Sequence, residues 1–158
     1  APAEPLPDVP VTEVVGLLQY LHQHDDEQEI VRVADDTNRE FQRVVLIVKA
    51  AELLDLVDTP IQMVVLTDTG KHFVQAGAEE RKHIWREQIL RLRLFQEVYD
   101  ILQRQPEHAM DSDFVLETIV TRMPYENYEK VFHTFVSWGR YGELFDYDET
   151  THRISLRA

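Results

Sequence analysis

His22 and His24, followed directly by Asp25 and Asp26, are the side chains best suited by type to hold a metal ion. Their spacing argues against it: on a helix, residues two apart point to different sides, and no third ligand stands at a useful spacing. A histidine near a helix C-terminus, where positive charge is favoured, is the simpler expectation. The run Asp146-Tyr147-Asp148-Glu149 has oxygen donors for calcium. An EF-hand loop, however, needs glycine at its sixth position and glutamate at its twelfth, and here Thr151 and Arg157 stand there. Thr69-Gly70-Lys71-His72 has the Gly-Lys pair of a phosphate loop, yet 66–69 contain no glycine and His72 replaces the magnesium-binding hydroxyl. No HExxH pair and no Gly-x-Ser-x-Gly elbow occurs, and the chain has no cysteine to supply a thiolate or a cysteine-ligated metal. The expectation is a chain with no catalytic, cofactor-binding or metal-binding residues.

The remaining candidates are contacts. Arg81, Lys82, Arg86, Arg91 and Arg93 form the one basic concentration, interleaved with apolar residues. Solvated charge beside a buried stripe is the plainer reading of such a pattern, and an anion site the sharper one. With Arg140, Tyr141 and Asp148 near the C-terminus, Arg81, Lys82 and Arg86 make up the candidate partner or anion contacts.

The elements that must position these residues follow from periodicity. Val14, Leu17, Leu18 and Leu21 recur at helical spacing after Thr12, an expected N-cap. A short helix over 29–34 follows. Thr37-Asn38-Arg39-Glu40 has capping-box spacing, ahead of a helix that buries Phe41, Val44, Val45, Val48 and Ala51. Residues 56–66, turning at Asp58-Thr59-Pro60, read as a hairpin. After a short helix with Phe73, the apolar positions from Trp85 to Leu102 mark a long connector over 79–104, either one helix or two with a break. The order then repeats. A helix capped at Asp111 or Asp113 carries Phe114, Leu116, Ile119 and Val120. Pro124 opens another, with Tyr128, Val131, Phe132, Phe135 and Trp138 on one face and Gly139 and Gly142 as exits. Residues 144–147 and 153–156 form a second hairpin. The predicted fold is mainly α with small β-hairpins, an α+β chain of two tandem winged-helix-like units joined by a helical connector. Its expected organisation is a linker over 1–10, a first unit over 11–77, and the connector with the second unit over 78–158.

Composition limits the partners. The 158 residues carry a net charge of −13, of which −9 falls before residue 78 and −4 after it. Such a field repels nucleic acid and anionic membranes. The third helix of a winged helix commonly enters the DNA major groove. Here it offers Arg39, Arg43 and Lys49 against Glu40 and Glu52 in the first unit, and Lys130 and Arg140 against Glu126 and Glu129 in the second. Neither is basic enough for phosphate contact, so nucleic acid is not the expected partner. The longest aliphatic run, 44–48, is too short to cross a bilayer, and the expectation is a soluble protein without membrane insertion. The proline-rich start, with Pro2, Pro5, Pro7 and Pro10, reads as a linker entering from an upstream domain.

The stretches LPDVPVTEVVGLLQYLH (6–22), AAELLDLVD (50–58), LTDTGKHFVQAGAEERKHIWREQIL (66–90) and SWGRYGELFDYDETTHRISL (137–156) together resemble the AAA-associated C-terminal domain. That domain is appended to ATPase subunits of nitrate/sulfonate/bicarbonate-type ABC transporters. The resemblance implies a non-catalytic accessory or regulatory domain, cytoplasmic and peripheral to the inner membrane through its transporter. ATP and magnesium would belong to the upstream domain, since this chain lacks the Walker and ABC signature motifs. The implied partners are the ATPase domain of the same polypeptide, the permease and a second copy of the chain. A DNA-binding regulator and a small-ligand or anion sensor, using a groove with Tyr141 and Arg81, stand as alternatives.

Overall fold

The computed structural model describes residues 4–157; the first three residues of the expected linker lie outside them. Eight α-helices and two three-stranded antiparallel sheets follow in the order α1 (Val11–His22), β1 (Glu27–Glu29), α2 (Ile30–Thr37), α3 (Phe41–Leu53), β2 (Val57–Asp58), β3 (Met63–Leu66), α4 (Asp68–Gln75), α5 (Ala78–Ile89), α6 (Arg93–Gln103), β4 (Ala109–Asp111), α7 (Asp113–Arg122), α8 (Tyr128–Tyr141), β5 (Phe145–Asp148) and β6 (Arg153–Leu156). The chain divides into two compact units. The first is Val9–Ile84; the second joins the segment up to Asp8 with the chain from Trp85 onward, so the boundary falls inside α5.

Each unit contains helix, strand, two helices and two strands, and each sheet places its last strand in the centre: β1-β3-β2 and β4-β6-β5. This is the mainly α, α+β winged-helix-like arrangement expected from the sequence, with one strand more per unit. The repetition extends to the backbone. Asp55 ends α3 in a left-handed conformation (φ 57), and Glu143 ends α8 in the same way (φ 55). Leu56 N then donates to Ala51 O at 2.9 Å, and Leu144 N to Gly139 O at 2.9 Å, the six-to-one bond of a Schellman cap. Left-handed residues also recur before β1 and β4 (Asp25-Asp26, Glu107-His108) and directly before β3 and β6 (Gln62, His152).

In the first unit, Val14, Leu18 and Leu21 of α1, Val44, Ile47 and Ala51 of α3, and Val64 and Leu66 of β3 form the core, closed by Phe73 of α4. Thr67 joins these parts: its hydroxyl oxygen accepts from Gly70 N, capping α4, and donates to Asp55 O at 2.7 Å. In the second unit, Phe95 stacks on Phe135 with ring centres 4.6 Å apart, and Phe135 on Phe145 at 5.1 Å, linking α6, α8 and β5. Trp85 and Trp138 are fully buried and meet edge to face, and the Trp85 indole N–H donates to Trp138 O at 3.1 Å.

Several local expectations are corrected. Pro10, not Thr12, occupies the N-cap of α1. Thr37 is the last residue of α2, its hydroxyl donating back to Val33 O, and Asn38 caps that helix at φ 54. The capping box therefore does not form, and α3 begins after Glu40, leaving Phe41 on the surface. The connector is two helices, because Leu92 turns extended between α5 and α6. In α7 the buried positions are Val115 and Ile119, so Phe114 and Val120 are exposed. α8 starts at Tyr128, its first turn capped by Asn127 rather than opened by Pro124. Glu143, not a glycine, supplies the left-handed exit from α8.

One glycine is required by close approach. A Cβ on Gly70 would lie 2.1 Å from Leu56 O, a backbone atom with no rotamer to yield. Gly70→Ala is expected to lower unfolding free energy by about 3 kcal/mol through overpacking. Gly77→Ala, whose Cβ meets nothing within 4 Å, should stay within about 0.5 kcal/mol of the parent. Urea unfolding of the two variants checks both values; a neutral Gly70→Ala would refute the constraint.

Candidate functional site

The candidate contact residues have structural partners. Arg81 donates through Nε to Phe73 O and through Nη2 to Val74 O, each at 3.0 Å, and its guanidinium lies 5.3 Å from the Phe73 ring centre. These carbonyls belong to the last turn of α4, where Ala76 N also donates to Phe73 O at 3.2 Å, and the Arg81 guanidinium adds to the capping of that helix end. Lys82 reaches Glu79 one turn earlier at 3.4 Å. Arg86 Nε donates to Gly142 O at the end of α8, at 2.6 Å. Arg140 Nη2 donates to Tyr147 O, with the guanidinium 5.8 Å from the Tyr147 ring centre. Tyr141 meets Trp85 edge-on at 5.3 Å.

Asp148 holds the tip of the second wing. Its Oδ1 accepts from Thr150 N at 2.9 Å and Thr151 N at 3.2 Å. The amides of Thr151 and then Thr150 hold its carboxyl below the usual aspartate range. Arg81 and Lys82 lie in the first unit; Arg86, Arg140, Tyr141 and Asp148 lie in the second. Arg140 and Asp148 line one open groove along β5 and β6, together with Asp146, Tyr147 and Arg153.

The histidines likewise have local partners. His22 Nδ1 lies 2.9 Å from Asp26 Oδ1, and His24 Nδ1 bonds to Tyr20 O at 2.8 Å. Among the described residues, no three histidine, aspartate or glutamate side chains converge as a metal site. Two polar clusters that the sequence reading does not single out stand in the first unit. Tyr20 donates its hydroxyl to Asp36 Oδ2 at 2.7 Å; burial, and then this bond, push its phenol up to about 12. Glu13 on α1 receives Arg43 of α3 on both carboxylate oxygens, through Nη2 on Oε1 and Nε on Oε2, and Arg39, just before α3, on Oε2 as well. These two arginines are cations the sequence reading places on the third helix, and both are engaged by a carboxylate. The four-residue spacing of Arg39 and Arg43 signals a shared side, but nothing in the sequence points to Glu13 as the partner.

Exposed apolar side chains are the feature least explained by folding. In the second unit Phe114 is 59% exposed and Tyr125 fully exposed, with Val120 and Tyr128 also on the surface. Phe114 stands at a cleft of about 300 Å³ between α6 and α7, lined also by Ile101, Glu97 and Thr118. Arg122 fixes its rim by a two-pronged bond to Glu97, at 2.6 and 3.2 Å.

The sequence model of the C-terminal AAA-associated domain matches residues 31–148, from within α2 to the end of β5. No curated protein and no solved structure gives a significant match.

Glu13 permits a test of the geometry above. Its carboxyl is held below the usual range, first by the hydrogen bond from Arg43 and further by the charges of Arg43 and Arg39. A depressed native pKa means that the unfolded chain binds this proton more readily, so the stabilisation is complete above the unfolded value and disappears as pH falls through the native one. Glu13→Gln is expected to cost about 1 kcal/mol at neutral pH and to flatten the stability profile below the ordinary glutamate range. Urea unfolding across acid pH reads both; an unchanged acid limb would contradict the assignment.

Proposed function

The chain belongs to the C-terminal AAA-associated domain family, and from that membership we propose that it is a non-catalytic accessory domain of an ATP-hydrolysing ABC transporter subunit. The proposed transporter imports anions of the nitrate, sulfonate or bicarbonate type. The domain stands on the cytoplasmic side, takes no cofactor of its own, and acts through protein contacts with its ATPase domain, the permease or a second copy. Among the described residues, no helix is long and apolar enough to cross a membrane.

The observation that carries the contact role is the division of labour among side chains. Arg81, Arg86 and Arg140 serve backbone carbonyls, whereas Phe114 and Tyr125 are presented to solvent. Regulation would require the surface around Phe114 to bind one nucleotide state of the ATPase more tightly than the other, since equal affinity shifts no equilibrium.

The winged-helix-like topology favours a second reading, a DNA-binding regulator. Against it stand the charge of −13 and the use of Arg39 and Arg43 by Glu13. Phosphate contact at α3 would have to break those pairs within an unfavourable field.

ATPase turnover of the parent subunit, measured with and without residues 1–158 and with and without transported substrate, tests the leading reading. A change in basal rate or coupling is expected; identical turnover under every condition would sink it. Phe114→Ser should reproduce the loss of regulation while changing the domain's own stability by less than about 0.5 kcal/mol, because the ring is exposed. A mobility-shift titration at low salt is expected to show no retained DNA, and saturable retention there would favour the regulator.

A further inference from the structure

The outer faces of the two sheets differ where the units otherwise repeat. In the second unit the ladder sets Arg153, the first residue of the central strand, between Asp111 of β4 and Asp148 of β5. Arg157, just beyond β6, reaches Asp146 at 3.2 Å and Glu143 at 2.8 Å. The acids of that sheet therefore have cations of the same chain beside them. In the first unit Met63 is the first residue of the central strand and stands opposite Glu29. The next outward position, Val65, stands between Glu27 of β1 and Asp58 of β2.

Alternation of burial fixes which side chains share the outer side. Val64 and Leu66 of β3 are buried, Met63 and Val65 partly exposed, and Glu27, Glu29 and Asp58 exposed. Successive strand residues point to opposite faces, so these last five line one surface. The turn of the hairpin adds Ile61, 91% exposed. Neither 25–31 nor 50–66 contains a lysine, arginine or histidine, and Glu27, Glu29 and Asp58 form no ion pair with any described residue. An apolar strip with an uncompensated negative rim complements a partner that carries cations around an apolar side chain. A second copy of the same face would meet it with like charge.

We propose that the outer face of the β1-β3-β2 sheet docks a basic partner segment, which lays an apolar side chain on Met63 and Val65 and sets lysine or arginine against Glu27, Glu29 and Asp58. Glu27 and Asp58 are two strand spacings apart, roughly 10 Å. An extended segment of the pattern cation-x-apolar-x-cation, whose three named side chains share one side, covers that span. The face belongs to the first unit and Phe114 to the second, so this docking does not rest on the role proposed for Phe114.

The end-blocked peptide Lys-Ser-Leu-Ser-Lys is the probe, with Glu-Ser-Leu-Ser-Glu and Lys-Ser-Ser-Ser-Lys as comparators, titrated into the full chain and followed by methyl NMR. The probe is expected to shift the Met63 and Val65 methyl signals saturably, at least about tenfold more tightly than either comparator, and to weaken as salt is raised. Met63→Arg, which gives the first sheet the residue type the second uses, should weaken the probe about tenfold. Glu27→Gln with Glu29→Gln, both at exposed positions, keeps the fold measurable if the arginine variant does not form, and should weaken the probe likewise. No saturable shift, equal affinity for either comparator, or binding that persists unchanged in these variants would overturn the proposal. So would self-association of the chain in sedimentation that Met63→Arg abolishes, since the face would then belong to a second copy.

Discussion

In each unit the fold depends on one backbone hydrogen bond, made where the third helix stops. Asp55 and Glu143 take up left-handed conformations so that the next amide, of Leu56 or Leu144, can reach back to the carbonyl of Ala51 or Gly139. This reversal drops Leu56 and Val57, or Leu144 and Phe145, directly into the core. It also aims the following strand at its partner. The carbonyls of Leu56 and Leu144 then receive the amides of Thr67 and Arg157, which close the two wings at their helix-side ends, opposite the turns. Helix end, core and sheet register are thereby set by a single turn, used twice in two stretches of different sequence.

That turn also marks the boundary of what is legible in the sequence. The long helices were legible because Val14, Leu18 and Leu21, or Val131, Phe135 and Trp138, repeat at helical spacing and are in fact buried. The hairpins were legible from their β-branched residues and turn. β1 and β4 were not: Glu27-Gln28-Glu29 and Ala109-Met110-Asp111 are three residues each, with no apolar alternation long enough to register. The positive-φ positions fall on aspartate, asparagine, glutamine, glutamate and histidine, never on glycine, so the usual marker of a left-handed turn is missing. Thr37 shows a related difficulty, since a residue that can cap a helix can equally well end the preceding one.

For the candidate contacts, residue type was legible and partner was not. A sequence shows Arg81, Arg86 and Arg140 as charges, and the natural expectation is that charge seeks charge. All three instead bond to main-chain oxygens: those of the last turn of α4, the end of α8 and strand β5. Helix ends leave carbonyls without donors, and a guanidinium can serve two at once. The apolar surface was hidden for the opposite reason. Phe41 and Phe114 fit helical stripes by spacing, and only the position of each helix start shows that they face outward.

The two sheets share one more property, carried by their outer strands. Glu27 and Glu29 lie on β1, Asp58 on β2, Asp111 on β4, and Asp146 and Asp148 on β5, whereas the central strands β3 and β6 contain no acid. An outer strand has a row of backbone groups open to a strand from another molecule, the first step of sheet-mediated aggregation. Here any such approach between two copies would bring carboxylates against carboxylates. In a chain of net charge −13, these acids set like charge against like at both open edges of each small sheet.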